Sequence, residues 1–298
     1  MNPMKKIAAI VVGVGTAVSL AACGGSDTAA TSADGGSKLL ADIEAGQVTL
    51  GTKYDQPGLG LREADGSMSG LDVDVATYVV NSIAEANGWE APEIEWRETP
   101  SAQRETLIQN GEVDMITATY SINAGRSEAV NFGGPYLITH QGLLVRGDDD
   151  RINQVSDLDN GLILCSVTGS TPAQKIKESF DGVQLQEFDT YSSCVEALNQ
   201  GTVDALTTDA TILAGYNEQY GGVFRLVDMF QEDGTTPLTN EHYGIGLAKD
   251  DQEGTDAINT AIQAMYDDGT FDQLVQENLG DAVKVDTTTP GDLSFLEN

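Results

Sequence analysis

Basic side chains are scarce in this sequence, so the few that are present are the first candidates for binding chemistry. The 298 residues include 15 Lys and Arg against 47 Asp and Glu, which gives a formal net charge of −32 at pH 7. This balance excludes a general nucleic-acid binder, because such a protein needs a basic surface to contact phosphates. We attribute most of the acidic side chains to solubility. A site for an anionic ligand must be built from a few basic residues, and those near plausible site loops are Lys53, Arg62, Arg97, Arg104 and Arg126.

Cysteine and histidine offer little further chemistry. The only histidines, His140 and His242, do not have the spacing of metal ligands, and no Ser/His/Asp or Cys/His arrangement stands out. We therefore expect no metal, no cofactor and no enzymatic activity. Cys165 and Cys194 are an even pair, which in an oxidising compartment predicts a disulfide; two buried free thiols are the alternative.

The N-terminal residues have the pattern of an export signal. Lys5 and Lys6 precede an uncharged apolar run at 7–22. That run is too short to span a hydrocarbon core of about 30 Å and is typical of a signal peptide. It ends in Leu20-Ala21-Ala22-Cys23, which resembles the lipobox of bacterial lipoproteins, where the cysteine carries a diacylglycerol and cleavage occurs just before it. A plain secretory signal with a chance cysteine is the alternative.

The stretch that follows favours lipid anchoring at Cys23. Residues 24–38 are rich in Gly, Ser, Ala and Thr and could not build a core, so they predict a flexible tether. No later segment is long and apolar enough to cross a membrane. We therefore expect a signal peptide at 1–22, a lipid-anchored tether at 23–38, and a protein held on the extracytoplasmic face of the cell membrane.

Beyond the tether, short apolar runs alternate with helical patterns, which predicts an α/β architecture with largely parallel sheets. Helices are predicted at 72–87, which stops at Gly88, and at 101–111, which ends with Gly111. Strands are predicted at 48–52, 113–117, 143–146 and 162–167. Capping patterns predict three further helix starts: Thr171 as the N-cap before Pro172, and capping boxes formed by Ser193 with Glu196 and by Asp250 with Glu253.

Six motifs that occur in order carry a resemblance to a known family: GTKYDQPG, SGLDVDVA, SAQRETLIQNGEVDMI, TYSINAGRSEAVNF, VTGSTPA and DALTTDA. From about Leu39 onwards the chain resembles the polar-amino-acid family of periplasmic solute-binding proteins, and most closely the glutamate-binding lipoproteins of ABC importers. The resemblance implies a type II periplasmic-binding-protein fold with two α/β lobes, two hinge strands and the ligand in the cleft between the lobes. It implies a first lobe at 39–138 and 248–298 and a second lobe at 139–247, with hinges near 136–140 and 243–247.

The resemblance also implies how an amino acid is held. An amino acid is a zwitterion, so a closing cleft must pair both of its charges. Thr119, Ser121 and Arg126 match the positions that bind the α-carboxylate in the family, and the planar guanidinium group can hold a carboxylate by two hydrogen bonds. A surface salt bridge is the alternative for Arg126.

The second lobe is expected to complete the binding of these two charges. Ser170 and Thr171 stand at a predicted helix N-terminus, where unpaired N–H groups favour an anion; simple capping of the helix is the alternative. Asp209 matches the family carboxylate that pairs with the α-amino group.

The residues expected around the ligand side chain favour an anion. Glutamine and basic-amino-acid binders of the family carry Asp after the first strand, where this chain has Lys53. Ser101 and Arg104 match the Ser and Arg that hold the side-chain carboxylate in acidic-amino-acid binders. Those binders usually carry Arg at the Lys53 position, so the exchange keeps the charge and loses the forked geometry. Tyr191 stands where some relatives contact the side chain; packing at a helix start is the alternative.

These expectations together predict the extracytoplasmic binding component of an ABC importer. It would capture L-glutamate, with aspartate as the second candidate, and deliver it to a membrane permease. We expect a monomer that binds no nucleic acid. A ligand sensor or a dehydratase of the same fold, acting on another small carboxylate, is the alternative.

Overall fold

The computed structural model describes residues 36–231, 233–281 and 283–297. The predicted signal peptide, Cys23 and most of the predicted tether lie outside these residues. Within them, no helix combines the length and the apolar character needed to cross a membrane.

Strands and helices alternate along the described chain. The strands are β1 (Gln47–Thr52), β2 (Asp55–Gln56), β3 (Gly60–Arg62), β4 (Met68–Ser69), β5 (Glu93–Glu98), β6 (Met115–Ile116), β7 (Asn131–Thr139), β8 (Gln141–Arg146), β9 (Ile163–Val167), β10 (Gln184–Phe188), β11 (Ala205–Asp209), β12 (Phe224–Asp228) and β13 (Glu241–Leu247). The α-helices are α1 (Lys38–Glu44), α2 (Leu71–Asn87), α3 (Arg104–Gln109), α4 (Ala124–Ala129), α5 (Thr171–Ser179), α6 (Tyr191–Asn199), α7 (Ala210–Gln219), α8 (Gln252–Asp267) and α9 (Thr270–Asn278). Short 3₁₀ helices lie at Ser101–Gln103, Val155–Asn160 and Ser294–Glu297.

Two five-stranded sheets form the two lobes of the fold. The first lobe contains the sheet β5-β1-β6-β13-β7, and the second lobe contains β10-β9-β11-β8-β12. In each sheet two strand pairings are parallel and two are antiparallel. The prediction of largely parallel sheets is therefore wrong for half of the pairings. The chain path explains the first sheet: β7 leaves the lobe and β13 returns to it, so these neighbours run in opposite directions.

The chain crosses between the lobes twice. β7 ends at Thr139 and β8 begins at Gln141, so the first crossover lies at His140. β13 begins at Glu241, which pairs with Thr139 in the first sheet. Strand pairing thus puts β13 in the first lobe. The sequence-based division ended the second lobe at 247 and so assigned this strand to the second lobe.

Helix α2 shows how an apolar stripe fixes a helix on its sheet. Val75, Val79 and Ile83 recur every four residues and are buried in one cluster with Leu50 of β1. The helix stops at Gly88, whose φ of 73° is left-handed, as the sequence predicts. The loops that follow the strands extend from this sheet and its packed helix.

The start of α5 lies one residue earlier than its predicted cap. The Ser170 hydroxyl accepts a hydrogen bond from the Ala173 N–H at 3.2 Å, so Ser170 is the N-cap. Thr171 is the first helical residue, and the prediction that it caps the helix is wrong. Adjacent Ser and Thr are equally able to cap, and only the local backbone decides between them.

The two predicted capping boxes are also displaced. α6 is capped by Thr190, so Ser193 lies inside the first turn and donates its N–H to the Thr190 hydroxyl. α8 is capped by Asp251, while Asp250 has a φ of 70° and stands outside the helix. In both cases a neighbouring residue with the same capping ability takes the position.

A disulfide joins Cys165 of β9 to Cys194 of α6, with 5.8 Å between the two Cα atoms. Both residues are fully buried in the second lobe. The link ties the central part of the second sheet to the helix that begins with Tyr191.

Replacing both cysteines by serine should lower the free energy of unfolding by about 3–4 kcal/mol, because the chain-entropy cost of closing the loop is lost. The loop in question has a sequence separation of 29. Guanidinium titrations of the double variant and the wild type measure the difference. Reductant should shift the wild-type midpoint towards that of the double variant and leave the variant unchanged. If reductant did not shift the wild-type midpoint, the result would contradict the disulfide.

Candidate ligand-binding site

The side chains predicted to bind a ligand are all buried, with none more than 8% exposed. The first lobe carries Lys53, Ser101, Arg104, Thr119, Ser121 and Arg126. The second lobe carries Ser170, Thr171, Tyr191 and Asp209. Charged side chains are rarely buried this completely unless other groups pair with them, so their partners decide what the site can bind.

Lys53 follows β1 and lies against the helical segment that contains Arg104. Its ammonium group donates to the Ser101 hydroxyl, with 2.8 Å between Nζ and Oγ. That segment begins as a 3₁₀ turn at Ser101 and continues as α3, ending two residues before Gly111. Burial, together with the charge of Arg104, lowers the pKa of Lys53 to about 7. An anionic ligand group would oppose both effects.

Arg104 is held by the first lobe but retains unused donor capacity. Its Nη1 donates to the Ala118 carbonyl at 3.0 Å, and its guanidinium carbon lies 4.1 Å from the centre of the Tyr120 ring. Its Nε is buried and has no hydrogen-bond partner in the described part of the chain. Since a buried N–H without an acceptor is costly, this donor remains available to a further acceptor.

Arg126, in α4, contacts both lobes. Its Nη1 donates to the Ser121 carbonyl at 2.6 Å and to the Thr171 hydroxyl at 3.0 Å. Its Nη2 donates to the Gly169 carbonyl at 3.0 Å, and the Glu105 carboxylate lies 3.3 Å from its Nε. The side chain is thus a buried interlobe contact rather than a surface one, and it bridges a closed cleft.

The start of α5 reaches the same point from the second lobe. The Ser170 hydroxyl caps the helix, and the adjacent Thr171 hydroxyl accepts the hydrogen bond from Arg126. Capping and interlobe contact therefore coexist on neighbouring residues.

Asp209 ends β11 and supplies the acidic group of the second lobe. The Tyr243 hydroxyl donates to its Oδ2 at 2.6 Å, whereas its Oδ1 is buried and has no partner among the described residues. Burial and the charge of Glu241 hold the pKa of Asp209 well above its usual range. Burial and the charge of Asp209 raise the pKa of Tyr191 to about 12, so this phenol lies near the same carboxylate.

Asp72 is a residue of the site that sequence reasoning missed. It is fully buried in the first turn of α2 and accepts the Thr119 N–H and the Tyr136 hydroxyl, both at 2.7 Å. Thr119 has a left-handed φ of 46°, so this carboxylate holds a strained residue in place. Burial raises the pKa of Asp72 to about 6, and the charges of Lys53 and Arg104 oppose the rise. The motif SGLDVDVA contains Asp72, but a sequence does not tell an inward carboxylate from an outward one.

A second interlobe contact lies in the small sheet β2-β3-β4, which packs on α2 of the first lobe. Asp55 of β2 accepts the Ser192 N–H at 3.1 Å through its Oδ2. The Tyr216 hydroxyl donates to the Asp55 carbonyl at 2.6 Å. Two helices of the second lobe, α6 and α7, are therefore joined to the first lobe at this residue.

Beside Arg126 a cavity of about 490 Å³ opens between α4 and α5. Its lining includes Glu105, Lys175 and Glu178. Across residues 36–231, 233–281 and 283–297, no three His, Cys, Asp or Glu side chains are grouped so that they could hold a metal ion. The charges and unpaired donors of the cleft suit a small ligand that carries both positive and negative groups.

Sequence comparison decides the family. Residues 48–281 match the bacterial extracellular solute-binding proteins, family 3. This chain belongs to that family. It is 72% identical over 281 residues to the glutamate-binding protein GluB of Corynebacterium glutamicum, covering 94% of this chain and 92% of that protein. The family and the extracytoplasmic location expected from sequence are thereby confirmed.

A more distant curated relative and a solved structure also match most of this chain. The ABC transporter glutamine-binding protein GlnH of Bacillus subtilis is 31% identical over 92% of this chain and 97% of its own length. Among solved structures, an ancestral arginine-binding protein bound to arginine aligns with a TM-score of 0.69 and 28% identity, over 79% of this chain and 99% of that one. The predicted two-lobe type II fold is confirmed by these likenesses.

Replacing Lys53 by Met should remove a pH-dependent destabilisation of the ligand-free protein. The folded-state pKa is about 7, whereas an unfolded Lys titrates near about 10.4. Between these values the unfolded state binds more protons, so wild-type stability rises with pH. From about pH 7 to about pH 9 the free energy of unfolding should rise by about 2 kcal/mol more in the wild type than in K53M.

Urea titrations at the two pH values, on protein stripped of ligand by unfolding and refolding, measure this difference. Lys249→Met removes an exposed lysine and should follow the wild type. If K53M also ran parallel to the wild type, Lys53 would not carry a strongly shifted pKa.

Proposed function

We propose that this chain captures L-glutamate between its two lobes and delivers it to the permease of an ABC importer. The observation that carries the proposal is the burial of Lys53, Arg104 and Arg126 in one cleft together with Asp209. The charge of Arg104 acts on the pKa values of both Lys53 and Arg126, so the three cations are close together. A ligand with two carboxylates and one ammonium group complements them.

The two ends of glutamate are assigned to different residues. The side-chain carboxylate would bind Lys53 and Arg104, with the Ser101 hydroxyl beside Lys53 at 2.8 Å. The unpaired Nε of Arg104 supports this assignment, because it offers a donor to an incoming oxygen.

The α-carboxylate is assigned to the region of Arg126, and the residues proposed to contact it are Thr119, Ser121, Arg126, Ser170 and Thr171. The ammonium group is assigned to Asp209, whose Oδ1 is buried and without a partner in the described chain. Tyr191, close to Asp209, is proposed as a wall of the pocket next to the ligand side chain.

The relatives support an acidic ligand over a neutral one. The protein with 72% identity is named as glutamate-binding, and the one with 31% identity as glutamine-binding. Aspartate is the second candidate, since its carboxylates match in charge but lie one methylene closer together. Lys53, a point charge rather than a fork, imposes little geometric demand on that distance.

We propose binding without catalysis. A catalytic step needs an acid or base placed at the reacting group. The imidazole of His140 lies 3.6 Å from the Asp228 carboxylate, and the ring of His242 stacks on Phe295 at 3.8 Å. These contacts account for both histidines as structural residues of the crossover region.

We also propose that the protein acts as a monomer and is held on the membrane by a lipid on Cys23. The sequence around this residue and the tether after it support the anchor. A membrane-held binding protein stays near its permease, which raises the effective concentration of the loaded form there.

The specificity of Lys53 and Arg104 can be tested with glutamate and glutamine, which differ little in shape. Lys53→Ala or Arg104→Ala should weaken glutamate binding by about 2–5 kcal/mol, because a buried carboxylate loses its counter-charge. Glutamine should lose less or improve, since it gains nothing from these charges. Isothermal titration calorimetry of the tether-truncated protein measures both ligands.

Arg126→Ala is the matched control. Both ligands carry the same α-carboxylate, so this change should weaken the binding of glutamate and glutamine by similar amounts. Equal losses for the two ligands in Lys53→Ala and Arg104→Ala would show that these residues do not bind the ligand side chain.

Cys23→Ala should abolish acylation and release the protein from the membrane. Detergent phase partitioning of whole-cell extracts checks this outcome. The Cys165→Ser/Cys194→Ser double variant should stay in the detergent phase. A Cys23→Ala protein that still partitions with the membrane would refute the lipid anchor.

A further inference from the structure

Glu241 is a buried carboxylate in the cleft that the assignments above leave without a role. It is the first residue of β13, it pairs with Thr139 at the crossover between the lobes, and it is only 3% exposed. Burying an ionisable carboxylate this far is costly unless a positive group pairs with it. The groups around Glu241 must therefore account for the burial of its carboxylate.

Strand geometry puts Glu241 on the same side as Asp209. Residues two apart on a strand point to the same face, and the register of β13 against β7 is regular from Glu241 to Tyr243. The Tyr243 hydroxyl donates to Asp209 Oδ2 at 2.6 Å, so this face of β13 is turned towards Asp209. Glu241 thus points to the side of β13 on which Asp209, at the end of β11 in the second lobe, is bound by Tyr243.

The charges agree with this placement. After burial, the charge of Glu241 is the next cause that raises the pKa of Asp209. The same charge also raises the pKa of Arg126, against the larger effect of burial, which lowers that pKa to about 10. Within the described ranges no Lys, Arg or His forms an ion pair with Glu241. Two buried carboxylates therefore lie near each other, and Oδ1 of Asp209 has no partner among the described residues.

We propose that Glu241 is the second carboxylate that binds the ammonium group of the ligand, opposite Asp209. An ammonium group has three N–H donors, and Asp209 Oδ1 with the Glu241 carboxylate would accept two of them. The pair excludes dicarboxylates that lack the amino group, because such ligands leave two like charges buried together. For this reason the site rejects a ligand with the same carbon skeleton in which a keto group or a methylene replaces the amino-bearing carbon.

This inference rests on the proposed function and is tested by comparing glutamate with glutarate, which lacks only the amino group. Calorimetry should show that the wild type binds glutamate far more tightly than glutarate. Glu241→Gln should weaken glutamate by about 10- to 100-fold. Glutarate binding should stay constant or tighten, because one repelling charge has been removed.

Two further variants complete the test. Glu253→Gln makes the same charge change at an exposed position in the first turn of α8 and should behave as the wild type. Glu241→Asp keeps the charge but draws it back by one methylene, so the preference for glutamate over glutarate should fall severalfold with glutarate binding unchanged. Glu241→Asp carries the test by itself if Glu241→Gln does not fold, as judged by circular dichroism.

The outcomes separate this inference from the proposed function. A wild-type protein that binds neither ligand would overturn the proposed function. Tight glutamate binding, with equal losses of glutamate and glutarate in both Glu241 variants, would overturn the role of Glu241 alone. In that case the residue would act only on the crossover between the lobes.

Discussion

The burial of three cations in one cleft is the constraint on which the rest of this structure depends. Lys53, Arg104 and Arg126 are each less than a tenth exposed, and like charges in a poorly solvated interior repel one another. The chain meets this cost in part with Asp72 and Glu105, whose carboxylates act on these cations. The rest of the cost lowers the pKa of Lys53 to about 7, and the carboxylate proposed to bind there would raise this pKa again.

On the proposed assignments, closure of the cleft and recognition of the ligand use the same residues, which couples one to the other. Arg126 donates to carbonyl and hydroxyl groups of both lobes, so the cation assigned to the α-carboxylate is also an interlobe contact. Asp55 joins the small sheet to Ser192 and Tyr216 of the second lobe. When these contacts form, water leaves the cleft, and every unpaired charge becomes more costly. A ligand with matching charges therefore stabilises the closed form, and a mismatched one opposes it.

The site residues that could be predicted from the sequence are those of rare residue types. Cations are few, so Arg126 beside Thr119 and Ser121 could be selected, and the ordered motifs identified the family and its two-lobe fold. Acids are abundant, with 47 in the chain, and nothing in their spacing marks Asp72 or Glu241 as buried. Their burial depends on tertiary contacts, as does the choice among neighbouring capping residues at α5, α6 and α8. Whether the selected residues contact a ligand remains a prediction.

The chain has a net charge of −32, and yet its proposed ligand is an anion. The two are compatible because the charges of the surface and those of the cleft act over different distances. At physiological ionic strength the field of a surface charge is screened within about 8 Å, so the acidic exterior repels an approaching dicarboxylate only near contact. Inside the cleft little water or salt remains to screen, and the buried cations dominate. Such a protein gains nothing from long-range steering of its ligand. Its affinity must come from slow release, that is, from a closed cleft in which the carboxylates and the ammonium group are all paired.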